Sequence, residues 1–260
     1  MKAIIMAGGE GTRLRPLTCL LPKPLTPVAG TPAVQHSILL LKKHGITEIA
    51  LTLQYLSGLI TSRFGSGEEM GVSLQYYVEN QPLGTAGSVK NTGDFIDSPF
   101  VVMSGDAVTD LDLSAAIAYH QEKKAAVTIV LKQVDTPLEY GVVVTDREGK
   151  VVRFLEKPTW SEVCSDTVNT GIYIIEPEAM RYVEKGEVTD FSKDLFPKLM
   201  EKGIPIYGYV MQDYWCDVGD IQAYRTCQQD VLNGRVKLPL EARQVKEGVW
   251  IGKDTVLEDR

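Results

Sequence analysis

Residues 2–7, KAIIMA, form a short apolar run without polar alternation, halted by Gly8 and Gly9. A strand that is apolar on both faces must be covered on both, which is the condition of a strand inside a parallel sheet with helices above and below it. Directly behind it stands GGEGTRLRPLTCLLPKPL, residues 8–25, before any helical pattern begins. Connections between elements usually run about four to six residues, and much longer ones tend to be functional or disordered. The opening therefore predicts an interior strand of an α/β sheet with a working loop at its carboxyl end.

The rest of the chain keeps that alternation. Thr31-Pro32 reads as an N-cap with proline at the first helical position, and Val34, Ile38 and Leu41 recur at helical spacing until Gly45. ITEIALTL predicts a strand, YLSGLITSRF a helix, VSLQYYVE a strand, GTAGSVKNT a glycine-led helix start, PFVVMSGD a strand and DLSAAIAYHQEK a helix. AAVTIVLKQV, YGVVVTD and KVVRFLEKP then follow as successive strands, with a turn at Asp146 to Gly149 that makes the last two a hairpin. TVNTGIYIIEPEAM gives a strand and a helix start, DFSKDLFPKLMEKG a helix, IPIYGYVM a strand, and Asp220 caps a helix running to Asn233-Gly234. The fold class is α/β: a doubly wound, Rossmann-like mixed sheet flanked by helices, as one domain over residues 1–235.

Composition excludes several functions. A net charge of −7 does not provide the basic face that backbone binding to nucleic acid requires, so an anionic ligand has to be met locally. No apolar run approaches the roughly 18 residues of a membrane span, and the N-terminus is too short and too soon charged for a signal peptide, so a cytoplasmic protein without a membrane partner is expected. Cys19, Cys164, Cys216 and Cys227 show no CxxC spacing, and His36, His44 and His120 are isolated.

In open α/β sheets ligands collect beyond the carboxyl ends of the strands, and here those ends carry GGEGTR, SGD and EKP. Gly8, Gly9 and Gly11 let backbone N–H groups approach an anion, and Arg13 and Lys23 can bind phosphate oxygens through charge-assisted bonds. A Walker A loop and a dinucleotide fingerprint both fail on spacing, since Gly11 is followed by Thr12, Arg13 and Leu14. Asp106 ends an apolar strand, and Asp217 stands in WCDVGD between a strand and a helix. Magnesium is commonly held by one or two carboxylates, with substrate phosphates and water completing its six oxygens.

The motifs GGEGTRLRPLT with PKP, PLGTAGS, SGDAVTD, FLEKP, NTGIYI and WCDVGD, in this order over residues 1 to about 232, resemble the sugar-1-phosphate nucleotidyltransferases, and within them the mannose-1-phosphate guanylyltransferases. The resemblance implies transfer of a nucleotidyl group from a nucleoside triphosphate to a hexose-1-phosphate, with Mg²⁺ as cofactor. It places Gly8, Gly9, Gly11 and Thr12 around the triphosphate, with Arg13 on the departing pyrophosphate and Lys23 also on phosphate. Gln81, Gly84 and Thr85 would lie along base and ribose, Asp106 and Asp217 on Mg²⁺, Lys157 on the sugar phosphate, and Gly141, Glu156 and Asn169 around the sugar. GTP with mannose-1-phosphate is the expected pair, since Glu79 or the Gln81 carbonyl could accept from guanine. UTP or dTTP with glucose-1-phosphate is the alternative, and a nucleotide-sugar-sensing regulatory subunit without turnover is an alternative of another class.

Residues 236–260 read as a linker followed by EGVWIGKDTVLEDR, which resembles the first turn of a hexapeptide-repeat left-handed β-helix, with Val249, Ile251 and Val256 inward and Gly252 at a corner. One such turn cannot bury its own apolar face, so the chain is expected to be a truncated piece of a longer protein, and assembly into a homo-oligomer stays open.

Overall fold

A computed structural model describes residues 1–256. The opening run is β1 (Lys2–Met6), buried on both faces at its centre. Beyond the glycine loop, β2 (Pro27–Val28) and β3 (Thr31–Pro32) form a two-residue ladder ahead of α1 (Ala33–Lys43). Thr31 is therefore not the N-cap: its backbone is committed to Val28, and Pro32 occupies the capping position without a side-chain bond. β4 (Glu48–Leu53), α2 (Ser57–Phe64), β5 (Ser73–Val78), α3 (Gly84–Lys90) and β6 (Phe100–Ser104) follow as the sequence predicts.

After β7 (Ala107–Thr109) comes α4 (Leu113–Lys123), capped by Asp112, whose carboxylate accepts from the Ala115 N–H at 3.1 Å. β8 (Val127–Gln133), the hairpin of β9 (Gly141–Thr145) and β10 (Val151–Glu156), and the long β11 (Thr167–Ile175) complete the second half of the sheet with β12 (Ile206–Met211). The helix expected from Asp190 onward begins as a π turn over Phe191–Leu195 and becomes α5 only at Phe196–Glu201, with Pro197 inside its first turn. The segment after β11 is 3₁₀ over Pro177–Tyr182. β13 (Trp215–Asp217) leads into α6 (Ile221–Leu232), where the Asp220 carboxylate accepts from the Ala223 N–H at 2.8 Å.

The main sheet has nine strands. β5, β4, β1 and β6 run parallel, β11 then pairs antiparallel with β6, and β12 pairs parallel with β8 on the far side of β11. Because β11 is longer than β6, its first half extends past the end of that strand and pairs with β9 through Val168 and Val142. A bulge between Asn169 and Tyr173, with Gly171 at φ 75°, separates the two halves. The β9–β10 hairpin thus overhangs the carboxyl ends of the parallel strands.

Alternation along β1 shows why the opening run had to be apolar throughout. Ala3 and Ile5 join one core with Val34, Ile38 and Leu41 of α1, while Ile4 joins a second with Ala86 and Val89 of α3 and Phe196 and Leu199 of α5. A third core lies beneath the glycine loop and joins Leu14, Val28 and Val108 to Val218, Cys227 and Val231. Leu14 and Val218 adjoin Arg13 and Asp217, and Val108 lies two residues from Asp106, so this core holds the loop, β7 and the β13–α6 junction together.

Past α6 the stretch expected to open a β-helix is an antiparallel hairpin, β14 (Ala242–Lys246) with β15 (Val249–Gly252). Its tight Glu247-Gly248 turn, with Gly248 at φ 69°, folds the two runs back on each other. Ile251 is buried, whereas Val256, expected inward, is 89% exposed. Trp250 Nε1–H donates to the Leu232 carbonyl at 2.8 Å and so docks the hairpin on the end of α6.

Candidate active site

Strand ends build the cleft. Met6, Gly8 and Gly9 at the end of β1, Thr52 and Gln54 at β4, Glu79 at β5, and Ser104 and Asp106 at β6 line one cavity of about 300 Å³, closed by Pro82, Leu83, Gly84, Thr85 and Ser88. That volume is at the small end for ligand sites. A larger depression of about 560 Å³ between α1 and residues 237–239 is lined by Leu39, Leu40 and Leu238 with lysines and contains no carboxylate. Glu79 and Asp106 line the strand-end cavity instead.

The glycine loop is an open anion cradle. Among the described residues, the backbone N–H groups of residues 8 to 13 donate to no protein acceptor. Consecutive free N–H groups in a turn form a concavity for negative charge. Gly11 sits at φ 63°, and a methyl group there would lie 2.8 Å from Lys23 Cβ, so glycine is required both for the turn and for the passage of the lysine stem. The Thr18 hydroxyl donates to the Gly11 carbonyl at 2.7 Å and fixes the loop from below. Thr12 and Arg13 are exposed in the 3₁₀ turn that follows.

Asp106 and Asp217 meet although 111 positions separate them in the chain. The antiparallel register of β13 on β7 sets Asp217 opposite Ala107, and the Val218 N–H donates to the Asp106 carbonyl at 3.3 Å. Lys23 Nζ bridges the two carboxylates, hydrogen-bonded to Asp106 Oδ2 and 3.6 Å from Asp217 Oδ1, and the Ser104 hydroxyl donates to Asp106 Oδ1. Arg13 closes the far side: a methyl group on Gly219 would lie 3.3 Å from Asp217 Oδ2 and 3.5 Å from both terminal Arg13 nitrogens.

The titration of this cluster follows from its packing. Burial works to raise the Asp106 carboxyl, but the Lys23 charge and the bonds from Lys23 and Ser104 hold it below the usual range. Asp217 is pushed up, first by burial and then by the Asp106 charge, with Lys23 and Arg13 opposing. Burial disfavours the Lys23 ammonium, yet the two carboxylates more than offset this and raise it.

The two carboxylates also fit a divalent cation, because the Lys23 ammonium between them shows that they converge on one point able to hold positive charge. No third carboxylate, His or Cys joins them in a metal-binding group among the described residues. Any further oxygens on a metal would come from phosphate and water, as is usual for Mg²⁺.

In the same strand-end cavity, Glu79 is 9% exposed and its Oε1 has no hydrogen-bond partner. Burial raises its carboxyl, with bonds from Ser88 and the Leu83 backbone in partial opposition. A buried carboxylate oxygen without a donor is costly and marks a place where a ligand donor fits. Gly84 and Thr85 line the same cavity, but Gln81 is exposed and absent from its wall. The glycines of GTAG have a packing role besides: a methyl group on Gly84 would lie 2.5 Å from the Thr189 carbonyl oxygen, and one on Gly87 2.6 Å from that of Glu187. The Ala86 and Gly87 N–H groups donate to Thr189 O, so this helix start is engaged with protein. The Thr85 hydroxyl likewise donates to Asp190 and accepts from the Phe191 N–H, both at 2.9 Å.

The overhanging hairpin carries the remaining predicted residues. Glu156 pairs with Gly141 across β10 and β9, and the Val168–Val142 pairing puts Asn169 beside Gly141 on β11, so the three form one row. A methyl group on Gly141 would lie 3.1 Å from Glu156 Oε2. Asn169 is largely engaged with protein: its amide nitrogen donates to the Tyr173 hydroxyl at 2.9 Å and to Ser192 at 3.3 Å, and its carbonyl accepts from the Gly171 N–H at 3.0 Å. One carbonyl lone pair stays free for a ligand hydroxyl. Lys157 is exposed at φ 45°, anchored through its own N–H to the Tyr140 carbonyl at 3.1 Å. The Tyr140 ring meets Trp215 edge-on, 5.4 Å between centroids, and ties the hairpin to the strand that carries Asp217. The histidines stand apart. His36 and His120 are buried, bonded to the Val28 carbonyl and the Thr128 hydroxyl.

A parallel sheet whose strand ends join an anion-binding glycine loop to two convergent carboxylates is the arrangement of an enzyme that handles nucleotide phosphates. The nucleotidyl transferase family profile matches residues 2–234, and the chain belongs to that family. It is 40% identical over 267 residues to a UTP–glucose-1-phosphate uridylyltransferase of Synechocystis sp., covering 97% of this chain and 69% of the relative. It is 34% identical over 239 residues to the mannose-1-phosphate guanylyltransferase of Mycobacterium tuberculosis (91% and 66% covered), and 39% identical over 225 residues to the mannose-1-phosphate guanyltransferase of Candida albicans (84% and 61% covered). The chain thus spans about two thirds of the length of these relatives. Among solved structures, a Bacillus anthracis protein described as a glucose-1-phosphate thymidylyltransferase, with sucrose bound, superposes with a TM-score of 0.80 at 28% identity, over 88% of this chain and 94% of that one. HddC of Yersinia pseudotuberculosis bound to GMP-PN gives 0.75 at 26% identity, over 88% and 99%. No helix among the described residues is long and apolar enough to cross a membrane.

Proposed function

We propose that this chain transfers a nucleotidyl group from a nucleoside triphosphate to a hexose-1-phosphate, releasing pyrophosphate, with GTP and mannose-1-phosphate as the preferred pair. The observation that carries the reading is the set of groups gathered where the strands end: free N–H groups and Arg13 and Lys23 at the loop, an unpartnered Glu79 oxygen in the strand-end cavity, and Lys157 with the Glu156–Gly141–Asn169 row on the overhanging hairpin. Each of these suits a different part of the reacting pair.

Little covalent chemistry is asked of the side chains. A sugar-1-phosphate oxygen is already anionic at neutral pH, so the site has to align it with the α-phosphorus and offset the repulsion between two anions. Arg13 and the loop N–H groups would hold the departing pyrophosphate, and Lys157 the incoming sugar phosphate. Glu156 would accept from sugar hydroxyls, and Asn169 through its remaining lone pair. Bound between Asp106 and Asp217, Mg²⁺ would supply neutralisation of phosphate charge. An acidic protein gains from concentrating its cations at such a mouth, because the local field then draws in the substrates that its net charge repels.

Guanine presents N1–H and N2–H₂ donors on one edge, which a carboxylate can accept together, whereas uracil and thymine present a single N3–H between carbonyls. The orphan oxygen of Glu79 supports the first. The guanylyltransferase relatives support the same pair, while the Synechocystis relative favours UTP with glucose-1-phosphate as the second reading. The test is pyrophosphate release with GTP, ATP, CTP, UTP and dTTP against mannose-, glucose- and N-acetylglucosamine-1-phosphate in Mg²⁺. The largest kcat/KM should fall on GTP with mannose-1-phosphate, and a maximum in the UTP or dTTP column would replace the guanine reading with the second one.

A further inference from the structure

Lys23 touches both candidate metal carboxylates. Its ammonium is bonded to Asp106 Oδ2 and lies 3.6 Å from Asp217 Oδ1, with its side chain only 11% exposed. Asp106 and Asp217 would hold Mg²⁺ through oxygen at about 2.0–2.1 Å, and a divalent ion held by the same carboxylates as the Lys23 ammonium would repel it at short range. The stem of the lysine is held where it passes Gly11, and Pro22 and Pro24 fix the backbone around it. The outer methylenes can still turn, and the stem passes directly beside the loop whose N–H groups are free.

We propose that Lys23 is the resident counter-cation of the Asp106–Asp217 pair: it occupies the divalent cation's place in the empty enzyme and is drawn off toward phosphate at the loop. Metal and triphosphate then bind with positive coupling, because each gains from the same lysine leaving the carboxylates. The free enzyme is kept from holding divalent metal tightly, and two crowded carboxylates are kept neutralised between turnovers. This rests on the reading of Asp106 and Asp217 as the metal carboxylates.

The test is Mn²⁺ binding to the nucleotide-free protein, followed by electron paramagnetic resonance and by calorimetry. Lys23→Met should tighten Mn²⁺ by on the order of ten- to a hundredfold, since a unit charge is removed at contact distance. Arg13→Met removes the same charge from beside Asp217 without freeing the space between the carboxylates, and should change the affinity by only a few-fold. Because Lys23→Met leaves buried carboxylates unpaired, Lys23→Gln, which can still donate to Asp106, is measured alongside and should shift in the same direction. Unchanged or weaker Mn²⁺ binding in both Lys23 variants overturns the proposal, as does an equal gain in Arg13→Met, which would mean a general field effect. If Lys23→Met tightens Mn²⁺ but adding Asp106→Asn or Asp217→Asn leaves that binding intact, the metal sits elsewhere, and it is the carboxylate reading that fails.

Discussion

Glu79 is the side chain whose environment asks most of a ligand. Its carboxyl is raised by burial, so it ionises at a higher pH than a free glutamate, and the ionised form is disfavoured in the folded protein. The sign for stability follows: the folded state binds the proton more tightly than the unfolded one, so stability is greatest below the unfolded value and is lost as pH rises through the folded value. Glu79→Gln should therefore raise the melting temperature of the ligand-free protein at neutral pH and give no gain at pH 4. For GTP the direction reverses. On the proposed reading ionised Glu79 accepts from guanine, so kcat/KM for GTP should fall as pH drops through the raised value, and Glu79→Gln should lower it about ten- to a hundredfold at neutral pH, the cost of a charged hydrogen bond. Paired thermal melts and pH–rate profiles of the two proteins check both signs.

Among the elements, the start of α3 separates packing from binding. Gly84 is at φ 73° with the Thr189 carbonyl 2.5 Å from where a methyl group would stand, whereas a methyl group on Gly9 meets nothing within 4 Å. Gly84→Ala should cost about 2–4 kcal/mol through left-handed strain and overpacking together, read as a lower urea midpoint. Gly9→Ala should leave the midpoint unchanged while lowering turnover, since it crowds the anion cradle and no protein neighbour. Sequence could not separate these glycines, because Thr189 is brought to α3 only by the tertiary fold. Thr31 misled for a related reason. Its Thr-Pro pair is a good local helix signal, yet the two-residue ladder with Val28 claims its backbone. The opening strand, the glycine loop and the Asp220 cap were legible because their causes are local: apolar periodicity, positive φ and side-chain capping.

Seen as a whole, the molecule sets the strand ends and their glycine loop against a hairpin lobe, and β11 is common to both. The motifs pointed to Asp106 and Asp217 as a pair, but their physical meeting depends on the β13–β7 register, which no local pattern shows. The division into lobes predicts separable losses. Arg13→Ala should weaken triphosphate binding at least tenfold with little effect on mannose-1-phosphate, and Lys157→Ala should do the reverse, at the usual strength of a charge-assisted contact. Calorimetric titration with each ligand measures the split, and loss of the same ligand in both variants would mean that the two cations serve one subsite.

Nucleotidyl transfer itself is most directly read by phosphorus NMR of the protein mixed with GTP, mannose-1-phosphate and Mg²⁺. The sugar phosphorus should move from its monoester position to a pyrophosphate doublet coupled to the former α-phosphorus, with one free pyrophosphate appearing for each doublet formed. Release of orthophosphate with the sugar phosphate unchanged, or no change with any nucleotide and hexose-1-phosphate in correctly folded protein, is incompatible with this chemistry and would leave a nucleotide-sugar-sensing role as the surviving alternative.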